Sequence, residues 1–230
     1  EARPELLQAC QDADIVFLTG GLGGGTGTGS LPVIARLAKE RGALTIAIVT
    51  LPFSNEGARR SKNARLGLDK LRKSADTVIV IPNDKLLQEE IMNLPLNTAF
   101  RQADEILGNA IRCMTEITSQ GGLVNIDFAD MRSIMDGGGV AMIGMGEGQG
   151  ANRATDAVSA ALQSPLLELD IANSEGALVN VTGGDDMTLQ EAHEVVREVH
   201  SKINKDARII WGASIDSTLE HQIRVMLVVT

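Results

Sequence analysis

Seven glycines fall within ten positions, Gly20 to Gly29, and no other stretch limits the possible fold so strongly. An apolar β-like run, Ile15-Val16-Phe17-Leu18, enters it, and an amphipathic helix pattern over about Leu31–Arg41 leaves it. A strand, a glycine turn and a helix start make an anion site. No Cβ blocks close approach of the backbone. The helix N-terminus adds unpaired donors and a partial positive charge. Thr26, Thr28 and Ser30 add hydroxyls. The stretch reads as a polyphosphate cradle; the alternative is a glycine-rich loop that holds no ligand.

The common phosphate motifs fail here. A P-loop needs a lysine after its second glycine, but Thr26 follows Gly25 and Ser30 follows Gly29. A Rossmann Gly-x-Gly-x-x-Gly fails in every frame, because its last position falls on Thr26, Thr28, Ser30 or Pro32. A Gly-x-Gly-x-x-Ala string at Gly146–Ala151 does fit the dinucleotide fingerprint, between an expected strand and an expected helix. Its Glu147 would repel a pyrophosphate, and Thr50 stands where an acidic ribose ligand would end the second strand.

Further along, apolar strand runs at Ile15–Thr19, Leu44–Leu51 and Thr77–Pro82 alternate with helical patterns near Leu31–Arg41 and Asn55–Lys73. Continuous apolar strands belong to a parallel sheet covered on both faces, joined by right-handed crossovers. Three strands are too few for a complete doubly wound domain, so the expectation is a chain that begins inside one, its first β-α units absent. A long helix, about Leu96 to Thr118, carries Phe100, Ala103, Leu107, Ile111, Met114 and Ile117 at helical spacing and stops at Gly121-Gly122. After it come a helix at Phe128–Met135, a strand at Val140–Gly144, a helix at Asn152–Leu162, a strand at Ala177–Thr182 and a helix at Leu189–Asn204. Strands at Ala207–Ala213 and Ile223–Thr230 complete a smaller α/β domain with a mixed sheet. The chain thus reads as three parts: 1–95, 96–122 and 123–230.

A net charge of −9, four Phe, one Trp and no Tyr argue against a nucleic-acid binder. No apolar run approaches the ~20 residues of a membrane span. Two cysteines, Cys10 and Cys113, have no metal-ligand spacing and suggest a reducing cytoplasm. His193 and His200 lie seven apart on one helix, too far for a paired metal site.

Other residue pairs carry possible chemistry. Glu56 and Arg60, four apart beyond the second strand, share a helix face: a ribose and phosphate contact, or a solvated pair. Phe100 and Asp104, also four apart, offer a ring face and a carboxylate suited to the N1–H and exocyclic amine of guanine; alternatively they are a core ring and a surface acid. Asn83 ends the third strand and could equally cap a helix. Asp127 looks like an N-cap, with Asp130 at capping-box distance.

The string Gly-Gly-Gly-Thr-Gly-Thr-Gly at Gly23–Gly29 resembles the signature of the tubulin and FtsZ superfamily of polymerising GTPases. Pro52-Phe53-Ser54-Asn55-Glu56-Gly57, Ile81-Pro82-Asn83 and Asn125-Ile126-Asp127-Phe128-Ala129-Asp130 resemble further segments of that family, prokaryotic FtsZ more than eukaryotic tubulin, and several stretches look archaeal. The resemblance implies an incomplete Rossmann-like GTPase domain, a central helix and a C-terminal activation domain. It implies GTP contacts at Gly23, Gly24, Gly25, Thr26, Gly27, Thr28, Gly29, Glu56, Arg60, Asn83, Phe100 and Asp104, with Mg²⁺ held mainly by the phosphates. Asn125, Asp127 and Asp130 would form a synergy loop that completes the site of the next subunit in a filament. It also implies self-association head to tail, adaptor proteins at a cytoplasmic division site, and no nucleic acid or direct membrane insertion. The competing classes are a filament or regulatory paralogue that no longer hydrolyses, and an oxidoreductase built on Gly146–Ala151.

Overall fold

The computed structural model describes residues 3–86, 96–118, 123–137, 139–167, 171 and 174–230. The chain divides into two compact units, Glu1–Gly108 with Met135–Ala141, and Asn109–Ile134 with Met142–Thr230.

The first unit runs α1 (Arg3–Ala9), β1 (Ile15–Gly21), α2 (Thr26–Glu40), β2 (Leu44–Leu51), a 3₁₀ turn at Ser54–Glu56, α3 (Ala58–Arg72), β3 (Thr77–Pro82) and α4 (Asn83–Leu86). Strands β1, β2 and β3 pair in parallel, and β3 also takes the first residues of β4 (Gly139–Gln149), Thr77 opposite Gly139. The apolar runs behave as their composition dictates: Leu44 to Val49 of β2 are all buried. Leu18, Leu31, Ala35, Ala47, Val49, Ala64, Leu71 and Val80 pack together as one core. Asp76, its side chain 5% exposed, ties this unit internally: Thr45 N–H donates to its Oδ2 at 2.8 Å, and Lys39 Nζ lies 2.5 Å from Oδ1.

Two expectations are corrected here. Helix α2 begins at Thr26, not Leu31, so the second half of the glycine signature is helical and Pro32 lies inside the helix. Tertiary contact overrides the poor helix propensity of glycine: a Cβ on Gly27 would lie 2.3 Å from Gly21 O, so only glycine lets the helix start this close to β1. The pattern at Asn55–Lys73 is two elements, broken at Gly57 with φ +100°.

The long helix α5 (Leu96–Thr118) forms as expected; its expected stop at Gly121-Gly122 lies outside the described residues. The second unit continues with α6 (Phe128–Met135), most of β4, α7 (Arg153–Leu162), β5 (Gly176–Gly183), α8 (Leu189–Lys202), β6 (Arg208–Ile215) and β7 (Gln222–Val229). Its sheet is mixed: β4 and β5 each pair antiparallel with β7, and β6 pairs parallel with β5.

Strand β4 runs on through the Gly-x-Gly-x-x-Ala string to Gln149, which removes the strand–turn–helix geometry a dinucleotide fingerprint needs. The glycines have another purpose. A Cβ on Gly144, Gly146 or Gly148 would lie 2.3, 2.2 or 2.0 Å from the carbonyl oxygens of Ala161, Ala157 and Arg153. Alternate strand positions on one face meet every fourth helix position, and α7 lies directly on bare backbone. At its N-terminus, the buried Arg153 donates to Glu191 Oε1 at 2.6 Å and to Asp186 Oδ2 at 2.7 Å. Among the described residues no helix is long and apolar enough to cross a membrane.

Candidate functional site

Three parallel strands end level with one another: Gly21 pairs with Thr50, and Leu51 with Pro82. Ligands of open α/β sheets bind beyond such carboxyl ends, and each end here leads into a candidate segment. After β1, Gly23 has φ +107°, and its missing Cβ leaves room for Arg60 O at 3.1 Å and Pro52 Cγ at 3.3 Å. Its N–H donates to Thr28 Oγ1 at 2.9 Å, and its carbonyl accepts from Asn63 Nδ2 at 3.5 Å. The glycine turn is therefore clamped against the segment that follows β2.

The first bond of α2 runs from Gly29 N–H to Gly25 O, at 3.0 Å. The N–H groups of Thr26, Gly27 and Thr28 thus have no carbonyl partner inside the helix. Added Cβ atoms on Gly24, Gly25 and Gly29 would meet nothing within 4 Å. Free donors beside open space, at the positive end of a helix, are what a phosphate requires. Thr28 takes a different place from the one its hydroxyl suggested. Its Oγ1 already accepts from Gly23, and its Cγ2 fills the room left by the buried Gly67 of α3.

After β2, Glu56 and Arg60 form an ion pair, although Gly57 breaks the helix between them. The Glu56 carboxylate also accepts from Phe53 N–H at 3.0 Å, which closes the turn. After β3, Asn83 opens α4 and is 8% exposed; its Oδ1 is buried and, among the described residues, has no hydrogen-bond partner. A buried acceptor left unpaired needs an explanation, and a ligand donor at the strand ends supplies one. Asp84 Oδ1 accepts from Ser54 N–H at 2.9 Å, joining the second and third segments. On α5, Asp104 is exposed; the side chain of Phe100 lies outside the described part of the structure.

The second unit holds the acidic segment. Val124 exchanges two hydrogen bonds with Ala213 of β6, at 3.1 and 3.0 Å, and Ile126 is buried beside Gly212. Asn125 and Asp127 are exposed. Asp127 Oδ1 accepts from Ala129 N–H at 3.3 Å, as a residue just ahead of a helix should. Asp130 does not complete a capping box. Its Oδ1 takes Arg208 Nη2 at 3.1 Å, with both side chains about half exposed. That partner is 78 positions away, and no local pattern could have revealed it. His193 packs edge-on against Trp211, ring centres 5.6 Å apart.

A parallel α/β unit with a glycine-rich strand-to-helix turn, joined in one chain to a mixed α/β unit, is a tubulin-like architecture. Comparison with known proteins agrees. Residues 1–90 match the model of the tubulin/FtsZ family GTPase domain, and residues 139–230 that of the FtsZ family C-terminal domain. The chain is 54% identical over 230 residues to cell division protein FtsZ 1 of Archaeoglobus fulgidus and 57% identical over 229 residues to cell division protein FtsZ of Methanothermobacter thermautotrophicus. All of this chain is covered, and it spans 62% and 60% of those relatives' lengths. A solved FtsZ dimer from M. jannaschii superposes with a TM-score of 0.96 at 53% identity, over all of this chain and 67% of that one. CetZ1 from Haloferax volcanii, at 21% identity and a TM-score of 0.77 over 95% of this chain and 64% of that one, shares the fold. The chain belongs to the tubulin/FtsZ family, among its FtsZ members.

Proposed function

We propose that the full-length protein is a GTPase of cell division that polymerises head to tail, with each active site divided between two subunits. The observation that carries this reading is the junction of Gly23–Gly29 with the Pro52–Arg60 segment: free amides, open space and a clamped turn at the ends of three parallel strands. GTP sits there, its phosphates on the backbone of Gly23, Gly24, Gly25, Thr26, Gly27, Thr28 and Gly29, with Mg²⁺ held mainly by those phosphates. Glu56 accepts a ribose hydroxyl and Arg60 meets oxygen atoms of the nucleotide. Asn83 offers its unpaired Oδ1 to a nucleotide donor. Phe100 stacks on guanine and Asp104 pairs with its N1–H and amine.

In this reading the groups that activate water come from the acids of the second unit. The neighbour brings Asn125, Asp127 and Asp130 to the γ-phosphate, where an acid orients or deprotonates the attacking water. Exposure of Asp127 and half-exposure of Asp130 leave both carboxylates available to another subunit. A head-to-tail contact is heterologous and need not close, so it yields filaments and couples hydrolysis to assembly. The division into 1–95, 96–122 and 123–230, a cytoplasmic location at the division site and adaptor partners belong to the same proposal. In the full-length protein, Asp130→Ala should bind GTP and sediment as polymer while turnover falls to background. A mutant that loses GTP binding, or keeps full turnover, would refute the divided site.

A further inference from the structure

The geometry points to the outer face of α3 as a second self-association surface, which takes the acidic surface of another copy of this chain. Helix α3 and the residue after it carry Arg59, Arg60, Lys62, Arg65, Lys70, Arg72 and Lys73 against one acid, Asp69. Seven of the chain's 21 Lys and Arg residues thus sit on sixteen positions. Arg60 pairs with Glu56. The other six are exposed and, among the described residues, form no ion pair.

Helical spacing sorts the face. Ala64, Gly67 and Leu71 are buried, which turns Lys62, Leu66, Asp69 and Lys73 outward, with Arg65 and Arg72 along one side. Leu66 is 52% exposed and borders a hollow of about 450 Å³ lined also by Ala58, Ser61, Lys62 and Arg65. The cations around Leu66 make this a basic face; one exposed aliphatic side chain by itself is ordinary on a protein surface.

Charge names the occupant. Residues 1–122 hold 14 acids and 14 bases, whereas residues 123–230 hold 16 acids and seven bases, so the whole net charge of −9 lies in the second stretch. Each copy therefore offers a basic helix and a separate acidic region, a heterologous match between copies that steers association at low salt. One face of the fifteen-residue α3, ~22 Å long and ~10 Å wide, covers ~220 Å², well short of the ~800 Å² per partner of a stable complex. The contact is therefore weak and shows itself only as protein concentration rises. It does not depend on the head-to-tail contact proposed above.

The test is sedimentation velocity of the full-length protein without nucleotide, at 0.05 M and 0.5 M salt on the order of the range where screening changes most. The expected result is a weight-average sedimentation coefficient that rises with concentration at low salt only. Lys62→Glu/Arg65→Glu should weaken association about tenfold or more, since each reversal replaces attraction with repulsion. Asp69→Lys should strengthen it, and the thermal midpoints of both variants should match wild type. Equal association by the double variant, or association indifferent to salt, overturns the proposal. So does a wild-type protein that stays monomeric while co-pelleting with vesicles of phosphatidylcholine and phosphatidylserine, because the partner would then be an anionic membrane.

Discussion

Two glycines of one signature, two positions apart, should respond in opposite ways to the same methyl group. In Gly27→Ala the new Cβ would lie 2.3 Å from Gly21 O and 3.3 Å from Gly21 C, both backbone atoms that no rotamer change can move. Forcing atoms into a packed site costs about 1–3 kcal/mol, and a backbone clash belongs at the top of that range. Replacing glycine by alanine in a helix returns about 1 kcal/mol. The clash wins by roughly 2 kcal/mol, which lowers the melting temperature by about 4–8 °C for a chain of this size. In Gly29→Ala the methyl meets nothing within 4 Å, so only the helix gain remains and the midpoint should rise by about 2–4 °C. Differential scanning calorimetry on the pair gives both signs in one experiment. Equal midpoints for the two variants, or a loss in Gly29→Ala as large as that in Gly27→Ala, would refute the reasoning that close approach explains glycine at position 27.

Other outcomes follow from the second unit. Gly146→Ala would put a Cβ 2.2 Å from Ala157 O and 2.4 Å from Ala161 N, so urea unfolding should show a loss of about 1–3 kcal/mol. Arg153, helped by the Thr188 N–H and hydroxyl, holds the Glu191 carboxyl down to about 2 from its ordinary 4.5. The folded value is depressed, so this contribution is full above pH 4.5 and is lost as pH falls toward 2. Glu191→Gln should therefore flatten the acid limb of the melting temperature measured between those limits. Burial, with Glu116 nearby, pushes the Cys113 thiol up to about 11, so iodoacetamide at pH 8 should leave it unmodified until the protein is unfolded in urea.

The elements that were legible in the sequence are those whose burial is uniform. The runs Leu44–Leu51 and Thr77–Pro82 are buried along nearly their whole length, and a strand with both faces covered needs no more than apolar residues in succession. The capping box at Thr188 and Glu191 starts α8 where local chemistry says it should. Reading failed where a distant contact decides the local conformation. Thr26–Ser30 reads as loop because glycine disfavours helix, yet Gly21 and Gly67 supply the neighbours that stabilise it. Gly146 and Gly148 read as a turn, yet with Gly144 they are a strand surface shaped for α7. Of the candidate site, residue types and strand-end positions were readable. The clamp from Gly23 to Thr28 and the pairing of Asp130 with Arg208 were not, because they exist only once the chain is folded.

The divided active site is tested most directly by mixing two inactive full-length variants. One carries Asp130→Ala and retains the glycine junction; the other carries Glu56→Ala/Arg60→Ala and retains the acids. Each alone should hydrolyse GTP only at background, and the mixture should recover turnover, because the nucleotide on one variant meets the carboxylates of the other across a head-to-tail contact. A mixture no more active than its components, under conditions where both sediment together, would contradict the account.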